Sequence, residues 1–454
     1  MFVFPILYVS FFIATLRSLM ADKVKGIMLF IIFGLPIYTT ALSVTHLYGF
    51  TDWIPYLQAF KELTILFFLG YAILNIQQQF HWQWMDKIMA GFALYACLYI
   101  FLPIGSYGFM QKLLAFKSIS FFPFIYFTGR LINFKKINLN EVFSFIGLLT
   151  IGAALLLAYE LVTYTHIQTQ TGYALYNQQF YNQDPTGNHG LSWTFEIESG
   201  IKRFASFFST PLEFSAATLV ATSALAALIT NNNNQFRFNT FTQLVLISTL
   251  ASIFFALSRA SFVSYCIIIY MYAWVTNKKQ LVQYIHWGII IVVLAITLFA
   301  IQNDLVEFAI DTITFSNASS IGHVLEWING MEAISKQPLG MGLGESGRMS
   351  AFEGLNTGGE NQFIIIGVQL GLVGLGLYLA AYILTIKHAI KTIKTQTGKI
   401  RRLALFVLLV KIGLFIPLFT AEVESYIYIS YTTWFLTGLF FNMKAQTIKK
   451  INLR

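Results

Sequence analysis

Apolar runs alternate with short polar breaks along nearly the whole chain. Most runs are about 17–25 residues long, the length a helix needs to cross a hydrocarbon core about 30 Å thick. The pattern predicts helices over Phe2–Leu16, Gly26–Val44, Leu63–Ile76, Lys87–Ile104, Leu113–Phe127, Glu141–Tyr164 and Pro211–Thr230. It continues with Thr240–Leu257, Ala260–Val275, Tyr284–Ile301, Asn361–Ile386, Leu403–Thr420 and Glu424–Met443. The expected fold class is therefore an all-α polytopic membrane protein with about 12–14 transmembrane helices. The opening MFVFPILYVSFFIATL lacks a charged start and a small-residue cleavage site, so it reads as the first membrane helix.

Two stretches interrupt the rhythm, residues 165–210 and 302–360. Loops beyond about 15 residues are uncommon unless they are functional or disordered. Both contain Trp, Tyr, Phe, His and ionisable residues, so ordered, functional segments are expected. The chain divides into N-terminal helices (1–164), a first long loop (165–210), central helices (211–301), a second long loop with an amphipathic helix (302–360) and C-terminal helices with a basic tail (361–454). The polar connector NNNNQFRFN, Asn231–Asn239, is given no role. Neither a 20–50-residue repeat nor a matched pair of broken helices marks an inverted-repeat transporter.

Composition agrees: 56% of residues are hydrophobic and 11% charged, against roughly 25% charged in soluble domains. The net charge of +9 is not spread evenly. Lys and Arg gather in alternate loops, around Arg17, Lys23 and Lys25, at Lys87, around Arg130, Lys135 and Lys136, at Arg237, at Lys278 and Lys279, over Lys387–Arg402 and in the tail. The positive-inside rule makes those loops cytoplasmic and both long loops external, with the N-terminus outside and the C-terminus inside. The charge is then a rim facing anionic lipid rather than a nucleic-acid footprint. Both cysteines, Cys97 and Cys266, lie in apolar runs and read as packing residues.

Candidate chemistry collects on the external side. In GIKRFASFFSTPLEFSAATL, Lys202 and Arg203 precede an aromatic stretch and a helix start at Thr210-Pro211-Leu212-Glu213. There Glu213 fits a capping box, with catalysis as the other reading. In LSRASF, Arg259 occupies the outer turn between two apolar runs; it is either a lipid anchor or a phosphate grip. From Ser320 to Lys336, Ile321, Val324, Leu325, Ile328, Met331 and Ile334 recur at helical spacing, while His323, Trp327 and Gly330 share another edge. The G-x-G-x-x-G at Gly342–Gly347 follows no strand, so a dinucleotide site is rejected; it reverses the chain or approaches a phosphate. Glu360, before Asn361 and the next helix, is a base or a cap.

Together these segments resemble the Wzy polymerase and WaaL ligase superfamily of O-antigen, capsule and exopolysaccharide assembly. The resemblance covers about Gly200–Leu375. It rests on an Arg before a Pro-containing helix start, a Ser-Arg turn, a Trp-bearing amphipathic helix running into PLGMGLG, and ENQFIIIGVQLGLVGL.

The resemblance implies a GT-C-type glycosyltransferase of the bacterial inner membrane, with its site facing the periplasm or cell exterior. It implies metal-independent inverting transfer without a cofactor, from an undecaprenyl-pyrophosphate-linked oligosaccharide. The lipid bilayer and a chain-length regulator are the other implied partners. Arg203 and Arg259 match the family's pyrophosphate-binding arginines; His323 stands where members often have a third Arg. Ligases carry a His ahead of the Asn at the late helix, and this chain has Glu360 there, which favours a polymerase with Glu360 as base over an O-antigen ligase. Lys202, Glu213, Trp327 and Asn361 are secondary candidates. A transporter would place charges at the bilayer midplane, yet only Lys117 and Lys411 lie well inside the expected helices.

Overall fold

The computed structural model describes residues 1–21, 23–75, 80–197, 200–230, 234–299, 318–351 and 357–452. The sequence readings at residues 76, 231–233, 300–317 and 352–356, including much of the second long loop, lie outside the described residues.

Each expected run, as far as it is described, is helical over most of its length, although residues 102–104, 256–257 and 424–426 at run ends lie outside the α-helices. The first six helices are α1 (Val3–Met20), α2 (Lys25–Leu47), α3 (Thr51–Leu74), α4 (Trp84–Phe101), α5 (Phe109–Ser120) and α6 (Phe122–Leu131). Next come α7 (Leu139–Thr163), α8 (Tyr173–Tyr181) in the first long loop, α9 (Pro211–Ile229), α10 (Thr240–Phe255), α11 (Arg259–Val275) and α12 (Lys279–Phe299). The last four are α13 (Ala318–Lys336), α14 (Gln362–Thr395), α15 (Gly398–Thr420) and α16 (Ile427–Asn452).

Eight of these (α1, α2, α3, α4, α7, α9, α14 and α15) are long and apolar enough to cross a membrane, and α10 and α11 are apolar but shorter. Among the described residues no strand forms, only isolated bridges of Glu196 with Lys202 and Thr230 with Phe236. The protein is an all-α polytopic membrane protein. The expected run Leu113–Phe127 is split at Phe121 into α5 and α6, with Pro123 in the first turn of α6, where its missing N–H costs nothing.

The basic loops share one end of the bundle. Lys25 pairs with Glu141, Arg402 bonds Asn140 and the carbonyl of Ala227, and Lys278 Nζ donates to the carbonyl of Asn234 at 2.6 Å. Within the bundle, Gly129 of α6 faces Gly438 of α16. A Cβ on either would meet the other helix's backbone, at 2.1 Å from Phe435 O or 2.0 Å from Tyr126 O. Small residues let helices pack at close range where lipid offers no hydrophobic drive. Lys411 is buried with its ammonium 3.3 Å from the centre of the Trp434 ring.

Two devices order the opposite end. Buried Glu160 accepts from the amides of Ile167 (3.0 Å) and Ser206 (2.8 Å), and Gln168 Nε2 donates to the carbonyls of Ser206 and Phe208. The first long loop is thereby folded onto the bundle. The second device is a break in α14, which the sequence pattern does not announce: Gly371 adopts φ 66°, ψ −170° inside the helix. The segment around Pro338–Gly342 enters that break, with Met341 N donating to Val368 O (2.7 Å) and Leu372 N to Pro338 O (2.8 Å). A Cβ on Gly371 would lie 2.4 Å from Pro338 O, so only glycine fits there.

Candidate functional site

The site is built at the non-basic end from loops that the two devices hold. Arg203 lies in extended backbone: its amide donates to Phe195 O at 2.8 Å and its Nε to Ala256 O at 3.2 Å. Phe204 N donates to Phe255 O, so the first loop is stitched to the end of α10, four residues before Arg259. Arg259 is the first residue of α11, behind the cap Ser258, and is exposed. A cation at a helix N-terminus opposes the helix dipole, an arrangement that an anion would relieve.

Arg203 senses both Arg259 and Glu360 electrostatically. Burial is the main cause that pulls its guanidinium down to about 10; Tyr426 and Glu360 act upward and Arg259 downward. It remains charged at neutral pH. Glu360 is exposed, yet burial raises its carboxyl above the ordinary carboxylate range. A side chain with both properties lines a crevice walled by protein. His323, Arg348 and Arg203 pull Glu360 back toward ionisation, and Glu326 opposes them.

The structure thus places Arg203 within electrostatic reach of Arg259 and Glu360, and Glu360 within that of His323. His323 Nδ1 is 3.8 Å from Glu326 Oε2, one turn along α13. Trp327 packs toward Phe419, and its buried indole N–H has no partner among the described residues. Asn361 caps α14, its Oδ1 accepting from the amides of Phe363 (3.0 Å) and Ile364 (3.2 Å). Capping of α14 therefore falls to Asn361 rather than to Glu360.

Two candidates are engaged elsewhere. Lys202 turns away from its neighbour, as alternate residues of an extended segment do, and donates to Tyr164 O at 2.6 Å over the Tyr164 ring. Thr210 caps α9 as expected, accepting from Glu213 N at 3.1 Å. The Glu213 carboxylate does not complete the capping box; it accepts from Ser209, amide and hydroxyl, and interacts electrostatically with Arg348.

Arg348, Glu422 and Tyr426 complete the crevice and were not singled out by the sequence. Arg348 follows the glycine turn, whose residues Gly340, Gly342, Gly344 and Gly347 all have positive φ. Gln369 of α14 fixes that turn, accepting from Gly344 N at 2.9 Å and donating to Ser346 O at 2.7 Å. Glu422 Oε2 accepts from Arg348 N at 3.2 Å across 74 residues of chain. Burial works against the charge of Arg348, but Glu422, Tyr173 and Tyr426 outweigh it and hold the guanidinium above its usual range. Burial likewise raises Glu422, with Arg348 acting downward. Burial, then Glu360, raise the Tyr426 hydroxyl, keeping it neutral and able to donate. Glu424 anchors this turn, accepting from Trp434 Nε1 and Tyr378 OH, both at 2.8 Å. Only the charge of Arg348 pointed to it from sequence; the partners of Glu422 and Tyr426 are remote along the chain.

No curated protein matches the chain. Residues 244–379, which run from α10 through Arg259, α13, Arg348 and Glu360 into α14, match the family model described as O-Antigen ligase, and the match supports a place for this chain in the O-antigen polymerase/ligase superfamily.

Proposed function

We propose that this protein is a polysaccharide polymerase that joins undecaprenyl-pyrophosphate-linked repeat units on the outer side of the bacterial inner membrane. The observation that carries the reading is that Arg203 lies within electrostatic reach of both Arg259 and Glu360, three residues from segments far apart in sequence.

In this mechanism Arg203 and Arg259 hold the donor diphosphate. They stabilise the charge that grows on it as the anomeric C–O bond breaks. Glu360 takes the proton of the acceptor sugar hydroxyl, whose oxygen forms the new bond on the opposite face of the anomeric carbon. The electron pair of the broken bond leaves with undecaprenyl diphosphate. Burial raises the Glu360 carboxyl and so makes it a stronger base than an ordinary carboxylate, while Arg348 favours its ionised form.

The description of the matched family model favours a second reading, ligation of finished polymer to a lipid A core or protein. A synthetic lipid-linked repeat unit offered to the purified protein separates the two. A ladder of products, lost in Glu360→Gln, is expected; transfer only to a lipid A core or protein acceptor would replace the polymerase with the ligase.

A further inference from the structure

We propose that Lys61, Glu62 and Lys117 form a second anion subsite, which holds the phosphate headgroup of the lipid-linked acceptor while Arg203 and Arg259 hold that of the donor. The inference rests on the polymerase reading, because only a polymerase must seat two lipid diphosphates at once.

The cluster lies between α3 and α5. Glu62 Oε1 is 2.8 Å from Lys61 Nζ and 3.2 Å from Lys117 Nζ. Lys61 is satisfied: it donates to Tyr38 OH (3.1 Å) and Gln58 O (3.0 Å) and lies over the Tyr38 ring. One carboxylate therefore serves two ammonium groups, and among the described residues no second carboxylate lies within 4.0 Å of either, so a net positive charge is left. Such a charge inside a bilayer is costly and calls for an anion. Lys117 is the group that can receive it, with its side chain 36% exposed against 8% for Lys61. Glu62 Oε2, buried without a hydrogen-bond partner, suits a protonated phosphate or a sugar hydroxyl.

The depth also fits. At a rise of about 1.5 Å per residue, Lys61 lies about 10 Å along α3 from Ile54, and Lys117 about 12 Å along α5 from Phe109. Exposed Trp53 and Tyr56 mark the start of α3, the usual place of aromatic side chains at a membrane interface. Lysine side chains at this depth reach up toward headgroups. The cluster also adjoins the catalytic crevice. Tyr181, at the end of α8, interacts electrostatically with Lys117 and Tyr38 on one side and with Arg348 and Tyr173 on the other. Gln58 Nε2 ties α3 to α8 by donating to Tyr176 OH at 3.3 Å.

The test counts undecaprenyl diphosphate bound to the full-length protein in lipid nanodiscs by native mass spectrometry. Wild type is expected to bind two copies. Lys117→Gln should weaken one about tenfold, Lys117→Arg should retain it, and Arg203→Gln/Arg259→Gln should remove the other. A single copy insensitive to Lys117→Gln overturns the subsite and leaves the donor assignment standing. A Lys117-sensitive copy that phosphatidylglycerol displaces with equal affinity overturns it too, because the site is then one for ordinary phospholipid. No copy bound at all overturns both the subsite and the polymerase reading.

Discussion

Arg130 and Arg203 are guanidinium groups withdrawn from bulk water at opposite ends of one bundle, and their surroundings differ. Arg130 is held by several partners: Nε and an Nη contact the two oxygens of Asp86 at 3.0 and 3.1 Å, the same Nη reaches His81 O, and Phe80 covers the group. Tyr126 OH supplies a further bond to Asp86. Arg203 has one hydrogen bond, to a carbonyl, and no carboxylate within 4.0 Å among the described residues. A protein that ties one arginine to a carboxylate and leaves another with a single hydrogen bond, within electrostatic reach of Arg259 and Glu360, holds the first as a structural pair and keeps the second available for the ligand proposed above. Counting arginines does not locate the site; counting their partners does.

The contrast breaks most directly at Asp86. Asp86→Ala leaves a buried guanidinium unpaired and should cost about 3–5 kcal/mol of stability. Thermal unfolding in nanodiscs should show a large drop in midpoint with unchanged turnover per folded molecule; an unshifted midpoint would show that Arg130 is no structural pair. Arg259→Ala should do the reverse, lowering product formation about 10²–10³-fold with little change in midpoint. Normal polymer from that variant would remove Arg259 from the donor site.

The subtlest expected effect concerns pH. Glu360 must be ionised to act as base, and burial has already raised its pKa against the pull of His323, Arg348 and Arg203. Removing one of these cations raises it further, so Arg348→Gln should move the acid limb of the kcat/KM profile to higher pH. Activity should then fall more at pH 6 than at pH 8. A limb that stays in place would separate Arg348 from the base.

Much of this was legible in local sequence. Apolar run length gave the helices, since each span must satisfy its own backbone in lipid. Arg259 stood out because the charge-free runs around it made one guanidinium conspicuous. Thr210 declared itself as a cap, and the periodicity of Ser320–Lys336 produced α13. What local pattern could not carry was pairing across the chain. Arg348 sat behind a glycine turn that read as a chain reversal, Glu422 sat in the short break before the last expected run, and Tyr426 sat inside that run, Glu424–Met443. Their meaning comes from contacts such as the one joining residues 348 and 422. The break at Gly371 was hidden likewise, one glycine among several in an apolar run, until the incoming loop supplied the backbone partners that make it tolerable.

The apolar stripe of α13 has a practical consequence. Ile321, Leu325, Ile328 and Met331 remain exposed on that helix, while Gly330 on the opposite edge abuts Gly358 and Ile364. We expect this exposed stripe to lie against acyl chains at the bilayer surface, which would then help to hold the helix that carries His323 and Trp327. Stripping lipid during purification would loosen this helix before any spanning helix unfolds, so a delipidated sample can look folded and still be inert.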